Sequence, residues 1–176
     1  MQVEIWSDVV CPWCYLGKRY FEQALERFPH RDGVEVIYRS FELDPSAPPG
    51  VTTPTVETLA GKYGMGLEQA REAQRQMEQR AAQAGLTFRM EDLRSGNTRD
   101  AHRLLQMAGA RGRGAELAER LHRAYFTDQA SIFDHAHLPV SRPTWAWTGT
   151  RRWPSWPVTS TPRPSRPTSR WPTRWA

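Results

Sequence analysis

The sequence predicts an α/β fold in which one strand–helix–strand unit is followed by a block of helices. Three observations carry that expectation. Two runs rich in β-branched and aromatic residues flank one amphipathic helix, strand patterning is absent beyond Pro54, and a Cys-Pro-Trp-Cys segment stands where the first strand gives way to the first helix. At 176 residues the chain is the size of one domain, long enough to bury about two thirds of the surface its unfolded form exposes.

Val3–Trp6 reads as a short buried strand. After Ser7-Asp8 and the two cysteines, a helix runs to about Phe28, with Leu16, Tyr20, Phe21, Ala24, Leu25 and Phe28 on its apolar face and Lys18, Arg19, Glu22, Gln23 and Glu26 opposite. Pro29 stops it. Val34–Phe41 is the second strand, and a strand–helix–strand order implies two parallel strands. Residues 44–54 form a Pro-rich loop. Helices follow: one with Val56, Leu59, Ala60 and Tyr63 on its face, and one with Leu67, Ala70, Met77, Ala81 and Ala84, closed by Gly85 just past its end. Thr98 is placed as N-cap of a helix carrying Ala101, Leu104, Leu105 and Ala108, and Leu117, Leu121, Ala124 and Tyr125 mark the last. The Glu68–Glu78 stretch with its arginines reads as a solvated face laced by i,i+4 pairs.

Composition breaks after Leu138. The remaining residues hold seven of the chain's 24 bases, eight prolines and six of its eight tryptophans, but no acid. Residues 1–138 therefore carry 17 bases against 19 acids, so the net charge of +5 belongs wholly to the tail. A basic balance of that origin says little about the partners of the folded part. Prolines at 154, 157, 162, 164, 167 and 172 forbid a continuous helix or a central strand, and no stable structure is expected for the tail. Its composition suits an out-of-frame translation of GC-rich DNA, with a one-nucleotide shift near codons 138–140. Shifting 154–162 back by one nucleotide permits Ala-Val-Leu-Ala-Gly-Asp-Glu-Tyr-Ala, a helix-forming peptide. Translating the gene's other frame tests that reading, which fails if no frame restores an acidic, helix-rich continuation.

The N-terminus begins directly with strand pattern and lacks a signal-type apolar run, which leads us to expect a cytoplasmic protein; no run is long enough for a membrane span. In that compartment two cysteines spaced C-x-x-C point to redox catalysis or metal binding rather than to a structural staple. Cys11 falls at the helix start, and Pro12 occupies the first turn, where a missing N–H costs nothing. Free backbone N–H groups and the helix dipole then favour a thiolate at Cys11, the form that attacks a disulfide. Cys14, one turn on, can resolve the mixed disulfide. We therefore take Cys11 as nucleophile, Cys14 as resolving thiol, and Pro12 and Trp13 as the intervening motif residues.

The blander readings are a half zinc site, completed by His135 with His137 or by His102 with His122, and two incidental helix cysteines. Neither histidine pair has H-x₃₋₅-H spacing, and the strand-before, helix-after context with its proline argues against chance. The histidines otherwise read as surface or partly buried helix residues. No cofactor and no metal are expected.

The segments 3–17, Arg39-Ser40-Phe41-Glu42-Leu43-Asp44-Pro45, Gly96-Asn97-Thr98 with Asp100-Ala101-His102-Arg103-Leu104, and Ala124-Tyr125-Phe126 resemble the FrnE-like branch of the DsbA-family oxidoreductases over residues 2–137. The resemblance implies a thioredoxin-like fold with an inserted helical domain: 1–45 as its N-terminal βαβ part, 46–138 as the insertion, and 139–176 as the Arg/Pro/Trp-rich tail. It also implies thiol–disulfide exchange with protein or low-molecular-weight partners. Such proteins continue into further strands and a cis-proline loop against the dithiol, none of which is visible in this sequence, so weakened activity is expected. Related glutathione-dependent 2-hydroxychromene-2-carboxylate isomerases typically carry serine where Cys11 stands, so the intact dithiol disfavours that alternative. The other alternative is non-enzymatic binding, in which interleaved Arg and Trp of the tail stack on single-stranded nucleic acid; the acidic balance of residues 1–138 gives no support to a nucleic-acid partner for the folded part.

Overall fold

The computed structural model describes residues 1–133. The expectations for the tail, for the further strands and cis-proline loop, and for His135 and His137 fall outside the described residues. Strand β1 (Gln2–Ser7) and strand β2 (Glu35–Ser40) pair in parallel, in register from Gln2 opposite Glu35 to Ser7 opposite Ser40. Helix α1 (Pro12–Glu26) joins them through a single 3₁₀ turn at Arg31–Gly33. The expected βαβ unit is thus present, with α1 ending shortly before Pro29.

The buried face of α1 differs from the one the apolar spacing suggests. Tyr20 and Phe28 are exposed, whereas Tyr15, Leu16 and Lys18 are buried. Lys18 was placed on the solvent side, yet its side chain is 3% exposed. It is ion-paired with Glu22 at 2.6 Å and with Glu119, across 101 residues of sequence. Glu119 also accepts from the Tyr15 hydroxyl at 2.8 Å and from Arg19 at 3.0 Å. Burial opposes ionisation of Glu119, but Lys18 and Tyr15 outweigh it and hold its carboxyl below the usual carboxylate range.

Removing one partner of a buried ion pair leaves the other charge uncompensated. Glu119→Ala should cost roughly 2–3 kcal/mol, short of the ~3–5 kcal/mol of a fully orphaned ion because Glu22 stays with Lys18. Lys18→Met combined with Glu119→Leu should cost less than Glu119→Ala alone. Urea denaturation of the three chains decides it, and a double variant weaker than the single one would refute the account.

A second pair of strands was not expected. Strand β3 (Thr52–Pro54) runs antiparallel to strand β4 (Arg94–Gly96), and each is too short to show an alternating pattern. The Arg94 guanidinium clamps the pair by donating to the Thr52 hydroxyl and carbonyl, both at 2.7 Å. A Cβ on Gly96 would lie 3.0 Å from the Phe133 ring and from the Thr52 methyl, so the lack of a side chain there lets Phe133 close over the ribbon.

Helix α2 (Thr55–Tyr63) and helix α3 (Leu67–Gln83) follow. Gly85 has the expected left-handed backbone, φ 76°, and closes α3 with two hydrogen bonds, Leu86 N–H to the Ala81 carbonyl and Gly85 N–H to that of Ala82. Helix α4 (Arg99–Gly109) begins after Thr98, but the Thr98 side chain caps nothing. Asn97 does that work instead. Its Oδ1 accepts the Arg99 N–H at 3.0 Å, and its Nδ2 donates to the Ala47 carbonyl at 2.7 Å, tying the Pro-rich loop to the helix start.

Helix α5 (Gly114–Phe126) completes the set. One apolar cluster takes in Val9, Tyr15 and Leu16 from the first unit together with Met77, Ala81, Leu86, Phe88, Leu121, Phe126 and Ile132 from the helical part. The rings of Tyr15, Phe88, Phe126 and His122 stack within it. That packing fixes the start of α1, and with it the dithiol, against α5. Among the described residues no helix is long and apolar enough to cross a membrane.

Candidate dithiol site

Cys11 is the N-cap of α1 and Pro12 its first helical residue. The turn from β1 into the helix is set by the Cys11 N–H donating to the Asp8 carbonyl at 3.1 Å, and the helix opens with Cys14 and Tyr15 N–H groups donating to the Cys11 carbonyl at 3.1 and 3.2 Å. Both cysteines are free thiols and half-buried, while Trp13 between them is exposed. The sequence-predicted site residues therefore share one helical turn at the end of the parallel strand pair.

The two thiols share one helical turn and interact closely enough to titrate as a pair. The Cys11 S–H donated to Cys14 brings the Cys14 thiol down to about 6; burial opposes this, and the Asp8 N–H and the Ser7 hydroxyl assist it. The same hydrogen bond, then burial and the charge on Cys14, push the Cys11 thiol up. The interaction therefore favours a single negative charge on the pair over two. The N–H groups of Trp13 and Cys14 make no full capping bond to the Cys11 sulfur, yet both favour an anion there.

Beneath the dithiol lies a residue the sequence reading passed over. Asp8 is 1% exposed. Its Oδ2 accepts the Leu43 N–H at 2.7 Å, and its Oδ1 faces His102 Nε2 at 3.3 Å. Its carbonyl, already bonded to Cys11, also faces His122 Nε2 at 3.4 Å. One residue therefore ties the end of β1, the loop after β2, α4 and α5 to the cysteine turn. This overturns the reading of His102 and His122 as surface or partly buried side chains, since both are buried, His122 fully. Their spacing carried a signal: His102 shares a helical face with Ala101 and Leu105, and His122 with Ala118, Tyr125 and Phe126. Their Nε2 atoms face Asp8, and among the described residues no three His, Cys, Asp or Glu side chains converge as metal ligands would.

A parallel βαβ unit that presents two free thiols on the first turn of its helix has the arrangement of a thioredoxin-type domain. The chain belongs to the DSBA-like thioredoxin domain family, whose model matches residues 2–141. It is similar to a crystal structure of a probable DsbA oxidoreductase from Streptomyces coelicolor, with 50% identity and a TM-score of 0.72 over 76% of this chain. The chain spans 57% of that protein. A shorter stretch of 49 residues is 41% identical to the uncharacterized protein YwbO of Bacillus subtilis strain 168, covering 28% of this chain and 22% of YwbO.

Proposed function

We propose that the chain is a thiol–disulfide oxidoreductase that acts by dithiol exchange through Cys11 and Cys14. The observation that carries this reading is the pair of free, half-buried thiols on the first turn of α1. Family membership supports it. In the first step the Cys11 sulfur attacks one sulfur of a substrate disulfide as its proton passes to the Cys14 thiolate. A Cys11–substrate disulfide forms, the substrate S–S bond breaks, and the leaving thiolate takes the proton back from Cys14. The Cys14 thiolate then attacks the Cys11 sulfur, forming the Cys11–Cys14 disulfide and releasing the second substrate thiolate to be protonated by water. The protein dithiol is oxidised by two electrons and the substrate disulfide is reduced to two thiols.

The reverse sequence oxidises a substrate dithiol, and the same groups serve both directions. Substrates on this reading are protein or low-molecular-weight disulfides. The test is to mix the fully reduced chain with bis(hydroxyethyl) disulfide and follow free thiols and mass. Loss of both thiols with no retained adduct is expected; a protein whose thiols persist under those conditions, or which accumulates two separate adducts, does not exchange in this way.

A further inference from the structure

An open groove of about 660 Å³ runs between α1 and α3, reaching Trp13 on the first turn of α1. Trp13 and Tyr20 of α1 line one side, and Glu72, Gln76, Arg80 and Gln83 of α3 the other. Trp13 lines the groove and immediately precedes Cys14 in the chain, so the groove borders the helical turn that carries the dithiol. Gln23 of α1 donates to the Ala84 carbonyl at 3.4 Å and joins the two helices at the end of α3.

The groove's charges are unequally engaged. Glu72 is held by Arg75 at 2.8 Å and by Gln76 at 3.1 Å. Arg80 has its guanidinium carbon 5.5 Å from the centre of the Trp13 ring, and among the described residues it pairs with no carboxylate. A guanidinium stacked on an indole keeps its edge donors free, and those donors suit a planar carboxylate. The contact favours the cation's position over the indole ring.

Building on the dithiol exchange proposed above, we infer that this groove binds a carboxylate of the disulfide substrate, and that Arg80 thereby selects anionic low-molecular-weight disulfides over neutral and cationic ones. Arg80 is a specificity-determining residue in this scheme: it touches the substrate away from the sulfur atoms and takes no part in the electron transfer. Gln76 and Gln83 add amide donors and acceptors along the groove for the rest of a peptide-sized ligand.

The experiment compares oxidation of the reduced chain by glutathione disulfide, bis(hydroxyethyl) disulfide and cystamine, which are anionic, neutral and cationic. Each protein's rates are expressed as ratios to its own rate with the neutral compound, after correction for the compounds' intrinsic rates with a small thiol. Charges elsewhere on the chain act on all three compounds, so the comparison with Arg80→Gln decides. We expect an anionic-to-neutral ratio roughly fivefold higher in the wild-type chain than in R80Q, the scale of one exposed ion pair, with R80K in between. A matched pair of peptide disulfides, with Asp or Asn beside the cysteine, shows whether the same carboxylate subsite also serves peptides: an Arg80-dependent Asp preference in that pair alone would move the substrate from small disulfides to acidic peptides and overturn the small-molecule assignment. Equal ratios in wild type and R80Q overturn the role of Arg80. A chain that reacts with none of the compounds, the neutral one included, overturns the dithiol exchange itself, so the two failures are distinguishable.

Discussion

Cys14→Ser should arrest the chain as a stable mixed disulfide on Cys11, whereas Cys11→Ser should lower exchange by on the order of 10³-fold or more, as loss of an attacking nucleophile does. Each substitution also resets the thiol that survives. Without Cys14, Cys11 loses the hydrogen bond and the neighbouring charge that push it up and keeps the Trp13 and Cys14 backbone N–H groups, so its pKa falls. Without Cys11, Cys14 loses the donor that contributes most to bringing it down to about 6, and its pKa rises toward the ordinary thiol value. Near neutral pH the Cys14→Ser chain should therefore hold the more reactive thiolate. Thiolate absorbance against pH gives the two titrations, and mass spectrometry after exposure to a small disulfide gives the adducts. An adduct that persists on Cys11→Ser while Cys14→Ser stays unmodified would invert the assigned roles, with Cys14 as the attacking group.

What could be read from the sequence divides along a physical line. The strand pair, α1 and the position of Cys11 were legible because local chemistry sets them: β-branched runs, helical spacing, Pro12 at the first turn and Gly85 past the end of α3. Contacts made across long stretches of chain were not. Lys18 looks like any solvent-face lysine until Glu119, 101 residues away, is brought beside it. Asp8 looks like a turn residue until His102, 94 residues on, meets its carboxylate. The β3–β4 ribbon was missed for another reason: three residues per strand carry no period, and the pairing rests on Arg94 and Thr52 rather than on an alternating apolar pattern. The capping of α4 by Asn97 instead of Thr98 shows the same limit at short range, since either side chain suits such a position and only the backbone geometry decides between them.

His122→Phe should remove a pH-dependent loss of stability on the acid side. The His122 ring lies fully buried and stacked on Tyr15, with centroids 4.8 Å apart and planes 6° from parallel. Burial disfavours its protonated form and lowers its pKa from 6.5 to about 4, only partly countered by the Asp8 carbonyl that faces Nε2. The unfolded chain accepts a proton on this ring at about 6.5, whereas the folded chain does not until about 4. Between those values the unfolded state binds more protons, so stability is fully present above about 6.5 and is lost as the pH falls toward about 4. The full extent is roughly 3 kcal/mol. Phenylalanine keeps the stacked ring and has no proton to gain; it gives up only the 3.4 Å contact to the Asp8 carbonyl. Carboxylates such as Glu119 also weaken the fold in acid, but they are common to both chains, so the difference between wild type and variant isolates the imidazole. Urea midpoints taken across the acid range should show the variant's stability relative to wild type rising steadily as the pH falls through that window. Parallel pH profiles for the two chains would mean that His122 takes up its proton in the folded state as readily as in the unfolded one, and that the ring is not held in its neutral form.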